Sequence, residues 1–242
     1  MRKYILIFCG LLMLAACDKH DPILPGTRTA IFDSGTQQNI LNINVENLPD
    51  NQPDRNTQNC DYTTDSNDIV RNGNRKIFVG FPASNSMDIE IKPICDGAHV
   101  YSGLHSGSVI KIAPKNRQVM WLADVYSVSN MTGGAATVDI VAPLVIDGAY
   151  IYAGGMGDAF CKINKQTGAK KWCSPIGTRH EFVVLKNVAY ITGLDKVLYA
   201  VRLTDGAIYW RRDIKYDVAP KYENKIIRVG KQNFDAATGQ DI

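Results

Sequence analysis

Asp88–Trp121 reads DIEIKPICDGAHVYSGLHSGSVIKIAPKNRQVMW, and Asp139–Trp172 reads DIVAPLVIDGAYIYAGGMGDAFCKINKQTGAKKW. The two stretches align without a gap, at an offset of 139 − 88 = 51 residues. Asp-Gly-Ala falls at 96–98 and 147–149, Tyr at 101 and 152, Gly at 103 and 154, and Lys-Ile at 111–112 and 162–163. A third copy, LKNVAYITGLDKVLYAVRLTDGAIYW, covers Leu185–Trp210, and a fourth, ENKIIRVGKQNFDAATGQDI, begins at Glu223. Read alone, KINKQTGAKKW suggests a basic phosphate-binding loop. Because it recurs, it is first of all architecture.

Each copy has the same physical content. An apolar strand enters, Asp-Gly or Lys-Asn turns it, a Tyr-rich strand returns, and a third strand leads through Thr-Gly or Asp-Gly to a strand ending in Trp. Gly168, Gly206 and Gly239 supply the positive φ of a tight hairpin, and Trp121, Trp172 and Trp210 bring large faces to bury between units. A four-stranded antiparallel sheet cannot cover both of its faces alone, so neighbouring units must stack. Radial stacking predicts an all-β protein, a β-propeller of four-stranded antiparallel blades of the PQQ/WD-like repeat kind, forming a small, open or incomplete ring. A β-sandwich is the structural runner-up, disfavoured because whole four-strand units repeat.

Outward from the repeats, the N-terminus MRKYILIFCGLLMLAAC has basic residues, an apolar run too short to span a membrane, and small residues before Cys17. It reads as a signal peptide over residues 1–16. Leu14-Ala15-Ala16-Cys17 resembles the bacterial lipobox, which would make Cys17 the lipidated first residue of the mature chain. A plain signal peptide with an incidental cysteine is the alternative. Removing Arg2 and Lys3 leaves 25 Lys+Arg against 24 Asp+Glu, a net charge of +1. Export, near neutrality and the lack of a like-charge block argue against a nucleic-acid partner. Residues 17–37 read as a tether. Residues 38–75 read as one strand, Gln38–Val45, plus an Asn/Asp-rich loop. Residues 76–242 read as propeller repeats at 76–121, 122–172, 176–214 and 218–242.

Reactive groups are few. Cys60, Cys95, Cys161 and Cys173 form no C-x-x-C pair and the histidines are scattered, so no metal site is expected. Cys161 and Cys173 are equidistant from Thr167. A hairpin turning there would set them opposite each other, either bridged or as two apolar residues on one face. His105 and His180 read as solvated loop histidines without a matched nucleophile. Gly154–Asp158, GGMGD, aligns with a turn in the other copy and does not open a helix, so it is not read as a phosphate cradle. Lys165, Lys170 and Lys171 vary between copies and read as solvated. The Trp121–Trp172 spacing exceeds the Trp172–Trp210 spacing, 51 residues against 38, which locates extra residues within Val125–Val138. This loop, with Val128, Met131 and Thr132, reads as a partner-binding candidate or as an insertion without function.

The pattern A-x-D-x-x-T-G-x-x-x-W resembles the repeat of pyrroloquinoline-quinone-type propellers. It is met by Lys162, Asn164, Thr167-Gly168 and Trp172, by Ala200, Arg202, Asp205-Gly206 and Trp210, and by Asn233, Asp235 and Thr238-Gly239. In the first unit Asn116-Arg117 stands where Thr-Gly is expected. With the lipobox-like start, the chain resembles the BamB-like lipoproteins of the β-barrel assembly machine. The resemblance implies a non-catalytic scaffold without cofactor, anchored through an N-terminal lipid and facing the periplasm. It also implies docking on the POTRA region of a BamA-like barrel-assembly subunit, with nascent outer-membrane proteins as a second class of partner. The outer membrane is the location it implies, while Asp18 after the cysteine leaves the inner membrane open. The competing readings are a quinoprotein oxidoreductase fragment and a generic envelope adaptor.

Overall fold

A computed structural model describes residues 43, 48–50, 60–126 and 137–242. They form five antiparallel sheets in chain order. The first holds β1 (Tyr62–Thr64), β2 (Ile69–Asn72) and β3 (Arg75–Val79). The second holds β4 (Ile94–Asp96), β5 (His99–Gly103), β6 (Ser108–Ala113) and β7 (Gln118–Asp124). The third holds β8 (Val145–Asp147), β9 (Tyr150–Gly155), β10 (Ala159–Asn164) and β11 (Lys170–Ser174). The fourth holds β12 (Val183–Val184), β13 (Val188–Thr192), β14 (Val197–Arg202) and β15 (Ile208–Asp213). The fifth holds β16 (Lys221–Glu223), β17 (Ile226–Val229) and β18 (Gln232–Asp235). Every strand pairs with its sequence neighbour, which makes each sheet one propeller blade. Among the described residues no strand is shared between the first and last sheets. Among the described residues the set of blades is open or incomplete.

The apolar cores lie between successive sheets. Val70 and Ile77 of the first pack with Val100, Ile110 and Ile112 of the second. Tyr101, Val109 and Trp121 meet Ile151, Ala153 and Ile163 of the third. Tyr152 and Phe160 meet Val184, Ala189 and Ile191 of the fourth, and Tyr190, Leu198 and Trp210 meet Tyr222, Ile227 and Phe234 of the fifth. Both faces of a middle blade are therefore apolar, which strict in–out alternation on a one-sided sheet would not give.

One contact repeats at the last three of the four seams. Trp121, Trp172 and Trp210 donate their Nε1–H to Lys165 O at 3.1 Å, Leu203 O at 3.3 Å and Ala236 O at 3.1 Å, each in the following blade. Three residues beyond each acceptor stands Gly168, Gly206 or Gly239, at φ +74°, +80° and +68°. A Cβ on these glycines would fall 2.8, 2.6 and 2.7 Å from the indole carbons. The glycine is thus required twice, for its backbone conformation and for the room it leaves. Arg117, at φ 57°, keeps the left-handed backbone in the drifted first copy. The residue at the tryptophan's register in the preceding sheet is Phe78. It pairs with Val70 just before a bulge, as Trp121 pairs with Lys111 before its own bulge.

The chain departs from expectation before residue 80. The Asn/Asp-rich composition predicts a loop through residue 75, with 76–79 opening the second sheet's unit. Residues 62–79 form the first blade instead, with Asp65 capping the β1–β2 turn by accepting from the N–H of Asn67 and Ile69, both at 3.0 Å. Cys60 is bridged to Cys95, tying this blade to the next. The polar composition hides the blade because its three strands are short, and Val70 and Ile77 are the apolar residues it buries. The expected strand Gln38–Val45 lies outside the described residues except for buried Ile43.

Candidate partner-docking face

In a run of four-stranded antiparallel blades, the turn between second and third strands lies at the same end as the connection to the next blade. On the third to fifth blades this end is tightly pinned. Thr178 donates its N–H to Gly155 O and its hydroxyl to Thr192 O, both at 2.9 Å. Leu194 N–H reaches Gly177 O at 2.9 Å, and Thr192 Oγ1 donates to Val218 O at 2.9 Å. Gly177 leaves no room for a side chain, since a Cβ would meet Asp158 Oδ1 at 2.7 Å and Leu194 Cδ1 at 2.9 Å.

On this frame two successive connections bring charges together. His180 Nε2 lies 2.6 Å from Asp217 Oδ1, and Arg179 pairs with Asp217 Oδ2. Burial alone would raise the Asp217 carboxyl, but the hydrogen bonds and charges of His180 and Arg179 outweigh it and hold it below the ordinary value. Leu194, 37% exposed, and Val218, 41% exposed, flank the cluster. A prearranged set of charges beside exposed apolar side chains, on rigid loops, is suited to recognising a protein surface. The sequence carries a signal for it. Arg179 and Asp217 are 38 residues apart, the Trp172–Trp210 spacing, so they hold equivalent positions in adjacent connections.

The long second-to-third connection leaves and returns at one place. Val125 N–H donates to Gly107 O at 2.7 Å, and Tyr126 and Val138 both crowd Gly107 and Gly157. Val128, Met131 and Thr132 lie outside the described residues, as does Cys17. The outer edge of the second blade is also distinctive. β7 exposes Val119, Met120 and Leu122, whereas β11 carries Lys170 and Lys171 and β15 carries Arg211 and Arg212. Charge on an outer strand discourages pairing with another chain, and β7 lacks it along this stretch.

Cys161 and Cys173 pair directly across β10 and β11 and are joined, Cα to Cα 4.1 Å. Of Gly154–Asp158, expected as a turn, Gly154 and Gly155 belong to β9, and residues 156–158 form the β9–β10 turn. Three residues expected in solvent are held by partners instead. His105 is fully buried, bound by Asp68 and Ile89, and His180 is engaged with Asp217. Lys165 is paired with Asp96 at 2.6 Å while its carbonyl receives Trp121. The stretch KINKQTGAKKW therefore does bind something: the preceding blade. Among the described residues no group of three His, Cys, Asp or Glu side chains is placed to hold a metal ion.

Blades joined by tryptophan-to-turn seams, with connections gathered at one end, define a propeller of the pyrroloquinoline-quinone repeat class. The chain belongs to the outer membrane protein assembly factor BamB family, whose sequence model matches residues 83–212. Among solved structures, BamB from Moraxella catarrhalis is 17% identical over 60% of this chain and 48% of its own, with TM-score 0.46. The computationally designed proteins Ika8 and Ika4 are each 15% identical. Ika8 covers 62% of this chain and 43% of its own at TM-score 0.43, and Ika4 covers 61% and 85% at 0.41. The chain thus spans about half the length of the BamB it matches. No curated protein matches it.

Proposed function

We propose that this protein is a non-catalytic scaffold lipoprotein of the β-barrel assembly machinery, assisting the insertion of outer-membrane proteins. Family membership supports the setting, and the observation that carries the docking role is the pinned cluster of Arg179, His180 and Asp217 between Leu194 and Val218. In this reading acyl chains on Cys17 hold the blades at the membrane, on its periplasmic side. The charged end meets the POTRA region of a BamA-like subunit through reciprocal charges around an apolar contact. The outer strand β7, free of charge over residues 118–123, offers its edge to an extended strand of a nascent barrel by β-augmentation.

Affinity capture with the full-length lipidated protein from envelope extracts tests this directly. Reproducible recovery of the barrel-assembly subunit is the expected result, and its reproducible absence sinks the reading. Cys17→Ala should move the protein out of the membrane fraction.

A further inference from the structure

The buried histidine has no part in the docking role, and its surroundings are specific. His105 sits in the Leu104–Gly107 turn of the second blade, fully buried, as are Asp68 and Asp139. Its Nε2 lies 2.9 Å from Ile89 O, a carbonyl that can only accept, so Nε2 carries a hydrogen. Its Nδ1 lies 3.3 Å from Asp68 Oδ1, a carboxylate oxygen that already accepts His105 N–H at 2.5 Å. Both ring nitrogens therefore face acceptors. Only the doubly protonated imidazolium can donate to both.

The elements meeting at this ring come from three blades. Asp68 belongs to the β1–β2 turn and binds the second blade's turn twice, its other oxygen accepting Ser106 N–H at 3.0 Å. Ile89 belongs to the connection between the first and second blades. Asp139 leads into the third blade, accepts Met87 N–H at 3.1 Å, and leaves Oδ1 buried with no hydrogen-bond partner. Two buried carboxylates close to one ring need a cation, and an unpaired buried charge is far more costly than a paired one. Among the described residues, Asp68 and Asp139 are the charged groups acting on the ring from the elements packed around it.

We propose that His105 is a buried cationic pin that locks the first three blades' connections together and releases them when it loses its proton. The electrostatics agree in direction. Burial pushes the imidazole down, but the hydrogen bond to Asp68 and the charges of Asp139 and Asp68 outweigh it and hold the group above the ordinary histidine value of 6.5. For a group raised on folding, the contribution is fully present below its unfolded value and is lost as pH rises through the folded one. Asp139, raised mainly by its burial, points the same way, since ionising it without the imidazolium nearby is unfavourable. The pin therefore holds below the ordinary histidine value and loosens as pH rises through the raised one.

Hydrogen exchange on the full chain tests this. In the wild type, protection of the Met87 and Ser106 amides, corrected for intrinsic base catalysis, should fall between about pH 6 and about pH 9. In His105→Gln it should start low and stay flat. An unchanged wild-type profile, or a His105→Gln profile that follows the wild type, overturns the proposal. Should the variant not fold, the ring resonances of His105 in the wild type decide. Titration above the ordinary histidine value of 6.5 supports the pin, and titration at or below it, or a neutral ring throughout, refutes it.

Discussion

Trp172 sits so close to Gly206 that a Cβ on the glycine would fall 2.6 Å from the indole Cε3, while the indole N–H reaches back to Leu203 O. Gly97 has a similar left-handed backbone, φ +58°, but open space where its Cβ would be. Gly97→Ala should therefore cost only the left-handed penalty, about 1–2 kcal/mol. Gly206→Ala should exceed it by a further ~1–3 kcal/mol of overpacking, because the tryptophan must move. Equal midpoint shifts in denaturant unfolding would show that the seam contact contributes nothing.

The acceptor carbonyls each receive a second donor, and the donor differs between seams. Leu203 O takes Lys162 Nζ at 2.8 Å, whereas Ala236 O takes the Tyr190 hydroxyl at 2.8 Å, where Ala200 stands in the lysine's place. Tyr190→Phe should destabilise by about 0.5–1.5 kcal/mol, the usual net value of one buried hydrogen bond. Tyr152→Phe should cost less, since Lys162 serves that carbonyl. Thermal unfolding of the two variants side by side distinguishes them.

The two disulfides close loops of different size, with sequence separations of 35 for Cys60–Cys95 and 12 for Cys161–Cys173. Chain entropy of the unfolded state gives about 4 and about 3 kcal/mol respectively. Replacing Cys60 and Cys95 together by Ala should lower stability by ~1 kcal/mol more than replacing the other pair. Equilibrium denaturation of both double variants checks the order.

Alkaline pH should unfold the blades cooperatively. Burial, with Asp96 adding to it, pushes Tyr101 from 10.0 up to about 12, and burial likewise raises Tyr152 and Tyr190. Groups raised on folding keep the native state stable below about 10 and withdraw that stability as pH climbs through the folded values. Tyrosinate absorbance should therefore appear in step with loss of β-sheet signal. Early, independent ionisation of all the tyrosines would contradict the packing described.

At the docking face, Arg179→Glu breaks an exposed ion pair and should change stability by less than about 1 kcal/mol. Capture of the barrel-assembly subunit should nevertheless fall severalfold. The double swap Arg179→Asp with Asp217→Arg restores the internal pair but inverts what a partner meets. Capture should stay low in the swap, and full recovery would assign the pair a structural role alone.

Legibility in the sequence follows the repeat. Trp121, Trp172 and Trp210 with Gly168, Gly206 and Gly239 stand out because each seam imposes the same two demands on the same two positions. The first blade does not stand out, because its tryptophan position holds Phe78 and its turn is shorter, so no periodic signal survives. The docking cluster is half visible: repeat spacing places Arg179 and Asp217 in adjacent connections, but nothing in spacing brings their side chains into contact. His105 is illegible because a polar residue in a turn is ordinarily solvated, and the carboxylates that bury it lie 37 and 34 residues away.

By itself the sequence determined the blade, its strand order and the residues at which blades must touch, since local turn chemistry and apolar periodicity act over neighbouring residues. Only the tertiary structure decided which carbonyl each tryptophan reaches and which cysteines join. It also decided that Lys165 and His105 face inward to partners. Those outcomes depend on contacts between blades, and such contacts are set by how whole sheets stack rather than by any one stretch of chain.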